Sequence, residues 1–359
     1  MSVTHSTRTR RDDMQFTGVY PGQPDHAAAS LVLQYRRRLI RKRLLWRAFR
    51  KRRELRILYD NRSKIRDTSI LLFSTIRNEE MRLPHFFDHY RGLGVDHFIF
   101  VDNASDDGSV DILSKQPDVT VFQTHASYRA SRFGVDWLNW LKFKHAAGHW
   151  VIVSDADELL VYPDYESKNL ATLTAWLRAN RRDAMGAIML DLYPKGSPDE
   201  QTYTPDQDPV DVLQWFDADG YWAQRQKKLG NLWLQGGPRA RKFFVQIPDR
   251  APTLNKIPLV YWRKGYAFVN STHSALPSRL NETWSTPISG ALLHTKFLPG
   301  VAQRAAQERA RDEHFQVGTL YSEYYQSLAH SPDLWIEASQ KYTGWQQLVD
   351  LKLMSRPNW

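Results

Sequence analysis

Apolar positions recur along this chain in two rhythms. From Ser69 onward, short apolar runs alternate with stretches of helical period. SILLFSTI (69–76), DHFIFVDN (96–103), VTVFQT (119–124) and WVIVSD (150–155) are rich in Val, Ile and Phe and read as buried-type strands. Between them RNEEMRLPHFFDHYRGLG, closed by Gly92 and Gly94, reads as a helix, as do a segment running to about Lys115 and the stretch 137–147. This order predicts an α/β fold with a mostly parallel central sheet and helices on both faces. Ligands of such sheets sit beyond the carboxyl ends of the strands. Here those ends carry Thr75–Arg77, Asp102–Asn103, Thr124–His125 and Asp155–Glu158. The second half is less regular, with strands predicted at 186–194, 240–247, 258–262 and 290–297 and a polar helix from Gly300 to about Glu323.

Ahead of Ser69 the rhythm is different. LVLQYRRRLIRKRLLWRAFRKRRELRI (31–57) sets Ile40, Leu44 and Ala48 at helical spacing beside Leu45 and Phe49, which predicts a basic helix with an apolar stripe. Charge makes this segment the odd one out. It holds twelve Lys/Arg and one acid between Arg36 and Arg56, a net of +11 in a chain whose total is +10. The remainder is therefore close to neutral. Three uses fit: a helix lying on an anionic membrane surface, a nucleic-acid arm, or a surface helix packing its stripe on the body. The apolar face with Trp46 and Phe49 favours the membrane over nucleic acid, which would need only the charge. Residues 1–30 are polar, with Pro21, Gly22 and Pro24, and read as a disordered tail lacking the apolar stretch of a secretory signal. No apolar run approaches the roughly 18 residues of a membrane span. The absence of cysteine excludes disulfides, zinc–thiolate sites and thiol nucleophiles.

The candidate chemistry centres on WVIVSDADE (150–158), where a buried-type strand ends in Asp155, Asp157 and Glu158. Paired carboxylates at a strand end suit a hard divalent ion, which takes oxygen ligands and can share them with phosphates. The competing reading is a capped turn with solvated acids. GGPRARKFF (236–244) is the other distinctive string. Gly236 and Gly237 permit close backbone approach, and Arg239 and Arg241 suit a diphosphate or an acidic acceptor. A glycine turn ahead of an edge strand explains it equally well.

Taken together, STIRNEE, DHFIFVDNASDDGS and WVIVSDADE, in this order and spacing, resemble family-2-type glycosyltransferases of the GT-A (Rossmann-like) fold, most closely over 69–165 and more weakly to about 300. The resemblance implies a metal-dependent transfer, with inversion, from a nucleotide-diphosphate sugar (a UDP-sugar by expectation) to a glycan or lipid-linked acceptor, with Mn2+ or Mg2+ as cofactor. It divides the body into a nucleotide-sugar-binding half (67–165) and an acceptor-binding half (166–300), which the patterning flanks with a tail (1–30), a basic amphipathic helical arm (31–66) and a C-terminal helical segment (301–359). It places Thr75, Arg77, Asn78 and Glu79 beside base and ribose, and Asp102 as acceptor of a base N–H. Arg132, rather than Arg129, would face ribose or diphosphate. Asp106, Asp107, Gly108 and Ser109 would shape the turn after the second strand, although a plain helix cap accounts for Asp107 and Ser109. Asp155 would touch ribose or ion, Asp157 would bind the metal directly, and Glu158 would order the turn. The late histidine of the metal set is expected at His294, with His273 structural. The catalytic base is expected at Asp191, with Asp217 and Asp219 as alternatives. The family's usual acid pair and the Q-x-x-R-W string of processive synthases are both missing. The expected setting is cytoplasmic, peripheral at the inner membrane face through residues 36–56, with no nucleic acid. Deleting 1–57 is expected to release the protein from anionic vesicles while sparing donor binding. Two other functions remain open: nucleotidyl transfer to a sugar phosphate, for which STIRNEE lacks the glycine-rich loop, and a non-enzymatic binding protein.

Overall fold

The computed structural model describes residues 30–311 and 318–359, so the expected tail, apart from Ser30, lies outside the described residues. Nine strands form one sheet: β1 (Arg56–Tyr59), β2 (Leu71–Ile76), β3 (His97–Asp102), β4 (Val119–Gln123), β5 (Trp150–Val153), β6 (Glu158–Val161), β7 (Ala184–Asp191), β8 (Asn255–Tyr261) and β9 (Gly290–His294). Their spatial order is β1-β4-β3-β2-β5-β8-β7-β9-β6. The run β4-β3-β2-β5 is parallel throughout. Because β8 is antiparallel to both β5 and β7, and β9 is parallel to β7, six strands run one way and β1, β6 and β8 the other. The expected α/β class with a mostly parallel sheet flanked by helices is the one observed.

Alternation along the strands builds the layers. Leu71, Phe73, Ile99 and Val101 point to one face, under α4 (Val135–His145), where they meet Val135, Trp137 and Leu141. Leu72, Phe98 and Phe100 point to the other. There they meet Phe86, Phe87 and Tyr90 of α2 (Leu83–Leu93), together with Leu170, Leu173 and Leu177 of α5 (Leu170–Ala179). A period of two along a strand buried on both faces produces this division.

The sheet also curls. Three strands separate β5 from β6 in the spatial order, about 19 Å at the usual strand spacing. Only Ser154–Asp157 join them in the chain, and that link is a turn closed by the Glu158 N–H on the Asp155 carbonyl at 3.1 Å. The far edge therefore folds back towards the middle, and the acids of the turn face the ends of β8 and β9.

Three elements differ from expectation. The helix after β2 begins only at Leu83, with Pro84 in its first turn, and Arg77–Glu80 form a loop instead. It ends as expected at Gly94, which is left-handed (φ 99°). The strand expected over 240–247 is a helix, Gly237–Phe243. Pro238 suits a first turn, and Arg239, Ala240, Arg241 and Lys242 are good helix formers, so the apolar Phe243–Val245 only closes it. The polar helix after Gly300 is described as Val301–Arg311 and Gly318–Leu328.

The basic arm forms α1 (Leu31–Lys51), with the Ser30 hydroxyl capping the Leu33 N–H. Its stripe packs on the body: Leu44 and Ala48 are buried, and Leu44 meets Leu229, Ala267 and Leu276, with Ile40 and Leu45 alongside. The chain then enters the sheet as edge strand β1. No helix among the described residues is long and apolar enough to cross a membrane.

Candidate active site

One edge of the sheet collects the carboxyl ends of β2, β3, β5, β7 and β9 with the amino ends of β6 and β8. A cavity of about 1210 Å³ opens over it. Its walls include Thr75, Arg77, Asn78, Glu79, Arg132, Asp155, Asp157, Glu158, Arg239 and His294 from the expected set.

Strand register explains the floor. His294, the last residue of β9, lies opposite Glu158 of β6 on one side and opposite Asp191 of β7 on the other. The imidazole therefore sits between two carboxylates. Its Nδ1 meets Asp191 Oδ1 at 2.5 Å and its Nε2 meets Asp157 Oδ2 at 3.2 Å. Arg239 donates from Nε to the other Asp191 oxygen at 2.7 Å. A row Asp157–His294–Asp191–Arg239 results, with only Asp157 appreciably open to solvent. Burial alone would raise the Asp157 carboxyl, but His294, Arg82 and Lys296 outweigh it and hold the group well below the usual carboxylate range. Burial likewise opposes the His294 charge, and the two carboxylates reverse it, so its pKa is raised.

Asp157, Glu158 and His294 offer ligand atoms that all lie within 4.8 Å of one another. Asp155, expected in the metal set, is outside this group and faces Lys256 Nζ at 2.9 Å. Lys256, near the start of β8, also binds Glu158. Burial works against the Lys256 charge, but Asp155 and Glu158 prevail and the net shift is upward. His273, expected to be structural, also lines the cavity; its Nδ1 meets the Asn255 carbonyl at 2.5 Å, and burial lowers its pKa to about 4.

The remaining expected residues divide into two groups. Arg77, Asn78 and Glu79 line the cavity, and their loop is bonded to the turn after β3. Asn78 and Asp106 exchange hydrogen bonds of 2.6 and 3.0 Å, Arg77 donates to the Asn103 carbonyl, and the Glu79 N–H donates to Ser109 Oγ. Asp107 accepts from the Ser109 and Glu80 N–H groups and Glu80 holds the Gly108 N–H, while Gly108, not Asp107, is the N-cap of α3 (Ser109–Ser114), with no side-chain cap bond. Asp102 does not reach the cavity. It is fully buried and accepts from the Ser105 N–H and Gln123 Nε2, so Asn103 forms the wall in its place.

Asp191, expected as base, has neither a free oxygen nor a raised proton affinity. Burial favours its neutral form, yet Arg239 and His294 hold the pKa below the usual value. Of the alternatives, Asp217 is clasped by Arg241 Nε and Nη2, each at 2.9 Å, and by the Tyr193 hydroxyl, and Asp219 is exposed. Neither they nor Arg241 line the cavity. Arg239 and Arg241 are thus committed to Asp191 and Asp217. The close approach expected at Gly236 does occur: with φ 131°, a Cβ there would lie 2.3 Å from the Gly220 carbonyl.

Cavity residues that the sequence reading passed over include Arg82, Lys256, Asp249, Lys296 and Arg304. Arg82 pairs with Glu79 at 2.6 Å. Lys296 follows His294 by two residues, and Arg304 lies one turn into the helix that starts at Val301. Burial lowers both their pKa values, Arg304 to about 9. Position supplied the only available signal for Lys296, and nothing in local pattern marked the rest.

Arg132 reaches the cavity through a shared carboxylate. Its Nε and Nη2 bind Asp136 Oδ1 at 2.9 and 2.5 Å, while Arg47 of α1 binds Asp136 Oδ2 at 3.2 and 3.0 Å. Gly134, at φ 75°, lets this loop close on Thr75, where a Cβ would lie 2.6 Å from the Thr75 hydroxyl. The arm is therefore bonded to the cavity wall, and removing residues 1–57 would take the Arg47 partner away from Asp136. Asp136→Asn should lower the unfolding free energy by about 2–4 kcal/mol, mostly through the more enclosed Arg132 pair, and weaken ligand binding in the cavity. Denaturant titration and calorimetry check both effects, and unchanged stability would contradict this role.

No protein-family model matches the chain, and no curated protein matches it. Among solved structures it is similar to a mannosyltransferase from Pyrobaculum calidifontis in complex with GDP-Man and Mn2+, at 15% identity over 83% of this chain and 79% of that one, with a TM-score of 0.27. A likeness of that size carries no argument about activity, and the functional reading rests on the site's own residues.

Proposed function

We propose that this chain is a metal-dependent glycosyltransferase of GT-A type, moving a sugar with inversion from a nucleoside-diphosphate donor, UDP-linked by preference, to a glycan or lipid-linked acceptor at the cytoplasmic face of a membrane. The observation that carries the reading is the row Asp157–His294–Asp191–Arg239 at the floor of a large cavity. A metal-binding histidine characteristically gives its second ring nitrogen to a carboxylate, which fixes the tautomer and aims the first at the ion. Asp191 does this for His294, leaving Nε2 beside Asp157. A mixed carboxylate–imidazole set suits Mn2+ better than Mg2+, which prefers oxygen alone. Bound there, the ion would neutralise charge on the departing diphosphate.

The protein's own groups complete the site. Lys296 and Arg304, with no carboxylate partner among the described residues, present positive charge to the diphosphate, and Arg82 adds to the field despite its bond to Glu79. Thr75, Arg77, Asn78, Asn103 and Arg132 wall the nucleoside side. Trp233, partly exposed at the cavity, offers a ring face that suits a sugar on the other side. For the base we favour Asp249 over Asp191. Among the described cavity acids it alone has no hydrogen-bonded or ion-paired carboxylate, and it is exposed to an incoming hydroxyl. Asp191 then acts as the residue that positions His294.

Calorimetric titration of UDP should show binding that requires Mn2+, is abolished by Asp157→Ala, and loses about 10–100-fold in metal affinity in Asp191→Asn. Equal UDP binding with and without the ion would remove the metal from the reading. Failure of both UDP and GDP to bind would remove the reading itself. Asp249→Asn should lower kcat by roughly 10²–10⁴ without changing UDP affinity, and full turnover in that variant would exclude it as base.

A further inference from the structure

Of the apolar positions that the sequence shows on the basic helix, Ile40, Leu44, Leu45 and Ala48 face the body of the protein, while Trp46 and Phe49 belong to a second stripe. Val32, Tyr35, Leu39, Trp46 and Phe49 recur at helical spacing on the side away from Leu44 and Ala48, and all are exposed, Tyr35 by 62% and Trp46 by 60%. The outer stripe continues on to α4. Trp46 stacks on Phe49 (centroids 5.6 Å apart), Phe49 meets Trp140 edge-on, and Trp140 stacks on the exposed Phe143. Arg36, Arg38, Lys42, Arg43, Arg50 and Arg53 are also exposed, and none has an ion pair among the described residues. A helix that merely covers a domain needs one apolar face, whereas this one has a buried face and an opposite face that is wet, aromatic and cationic.

We propose that the outer face of α1, with Trp140 and Phe143 of α4, is a docking surface for an anionic lipid bilayer, on which the helix lies flat. Charge complementarity selects the partner. A second copy would bring one +11 segment against another. Nucleic acid would satisfy the cations but leave the apolar stripe in water. A bilayer surface satisfies both, since the apolar side chains enter the headgroup boundary while Lys and Arg meet anionic lipid. The inner face, with Leu44, Ala48, Arg37 and Arg47, anchors the helix to the catalytic body, so docking would hold the cavity at a fixed attitude to the membrane. This inference is independent of the transferase reading.

Co-sedimentation of the full chain with vesicles tests it, comparing phosphatidylcholine alone with an equal mixture of phosphatidylcholine and phosphatidylglycerol. The wild type should bind the anionic vesicles and not the neutral ones. Leu39→Glu/Trp46→Glu should weaken that binding about ten-fold or more, and Arg43→Glu/Arg50→Glu by a similar factor. Both pairs lie on exposed positions, and unchanged UDP binding or melting temperature would show that the body is intact. Anionic-vesicle binding undiminished in the Leu39/Trp46 variant would overturn the proposal. So would absence of vesicle binding by the wild type, or tighter binding to duplex DNA than to the vesicles.

Discussion

The arrangement depends on one buried imidazole held between two carboxylates. His294 has that position because β9 pairs with β7 on one side and β6 on the other, in a register that ends all three at one level. The curl of the sheet is what brings β6 and its preceding acids within reach. The imidazole stands between the Asp157 and Asp191 carboxylates, and Arg239 adds a cation at the far oxygen of Asp191. Arg239 in turn needs the helix at Gly237–Phe243, whose entry depends on Gly236 passing close to the 220–221 backbone. Backbone register, a glycine contact and a row of hydrogen-bonded ionisable groups thus form one device. Its only appreciably open end is Asp157.

A second constraint works at the cavity wall formed by the loops after β2 and β3. The loop after β2 and the turn after β3 carry the most recognisable sequence strings, and much of what those residues do is bond each other. Asn78 with Asp106, Glu79 with Ser109 and Glu80 with Gly108 tie the two loops into one rigid lip. Motif residues here build the wall before they touch anything within it. Asp102 shows the distinction most clearly, since its carboxylate is taken up by its own turn, at Ser105, and by Gln123 of β4.

The parallel strands, α2, α4 and the acidic turn were legible because each has a strong local pattern: period two, helical period, or a carboxylate run ending a buried strand. His294 was legible for the same reason, as a polar residue terminating an apolar run. What escaped was set by distance. Lys256 lies within an apolar strand and matters only because the curl places Asp155 and Glu158 opposite it. Asp136 looks like an ordinary acid in the first turn of α4, and its two arginines come from separate segments. The 240–247 stretch was misread because Phe243–Val245 resembled a strand, whereas the glycine–proline entry decided for helix. On α1 the correct periodicity was seen, but which of two apolar faces stays wet is a property of the packing.

In the proposed site Asp157 and His294 would hold a divalent ion, with Asp191 and Arg239 aligned behind them. Anomalous diffraction from crystals grown with Mn2+ and a nucleoside diphosphate tests it most directly. The account predicts a manganese peak bonded to an Asp157 oxygen and to His294 Nε2, with Asp191 still on Nδ1 and phosphate oxygens completing the shell. A peak held by other residues, or a bound nucleotide with no manganese beside these two side chains, would contradict it.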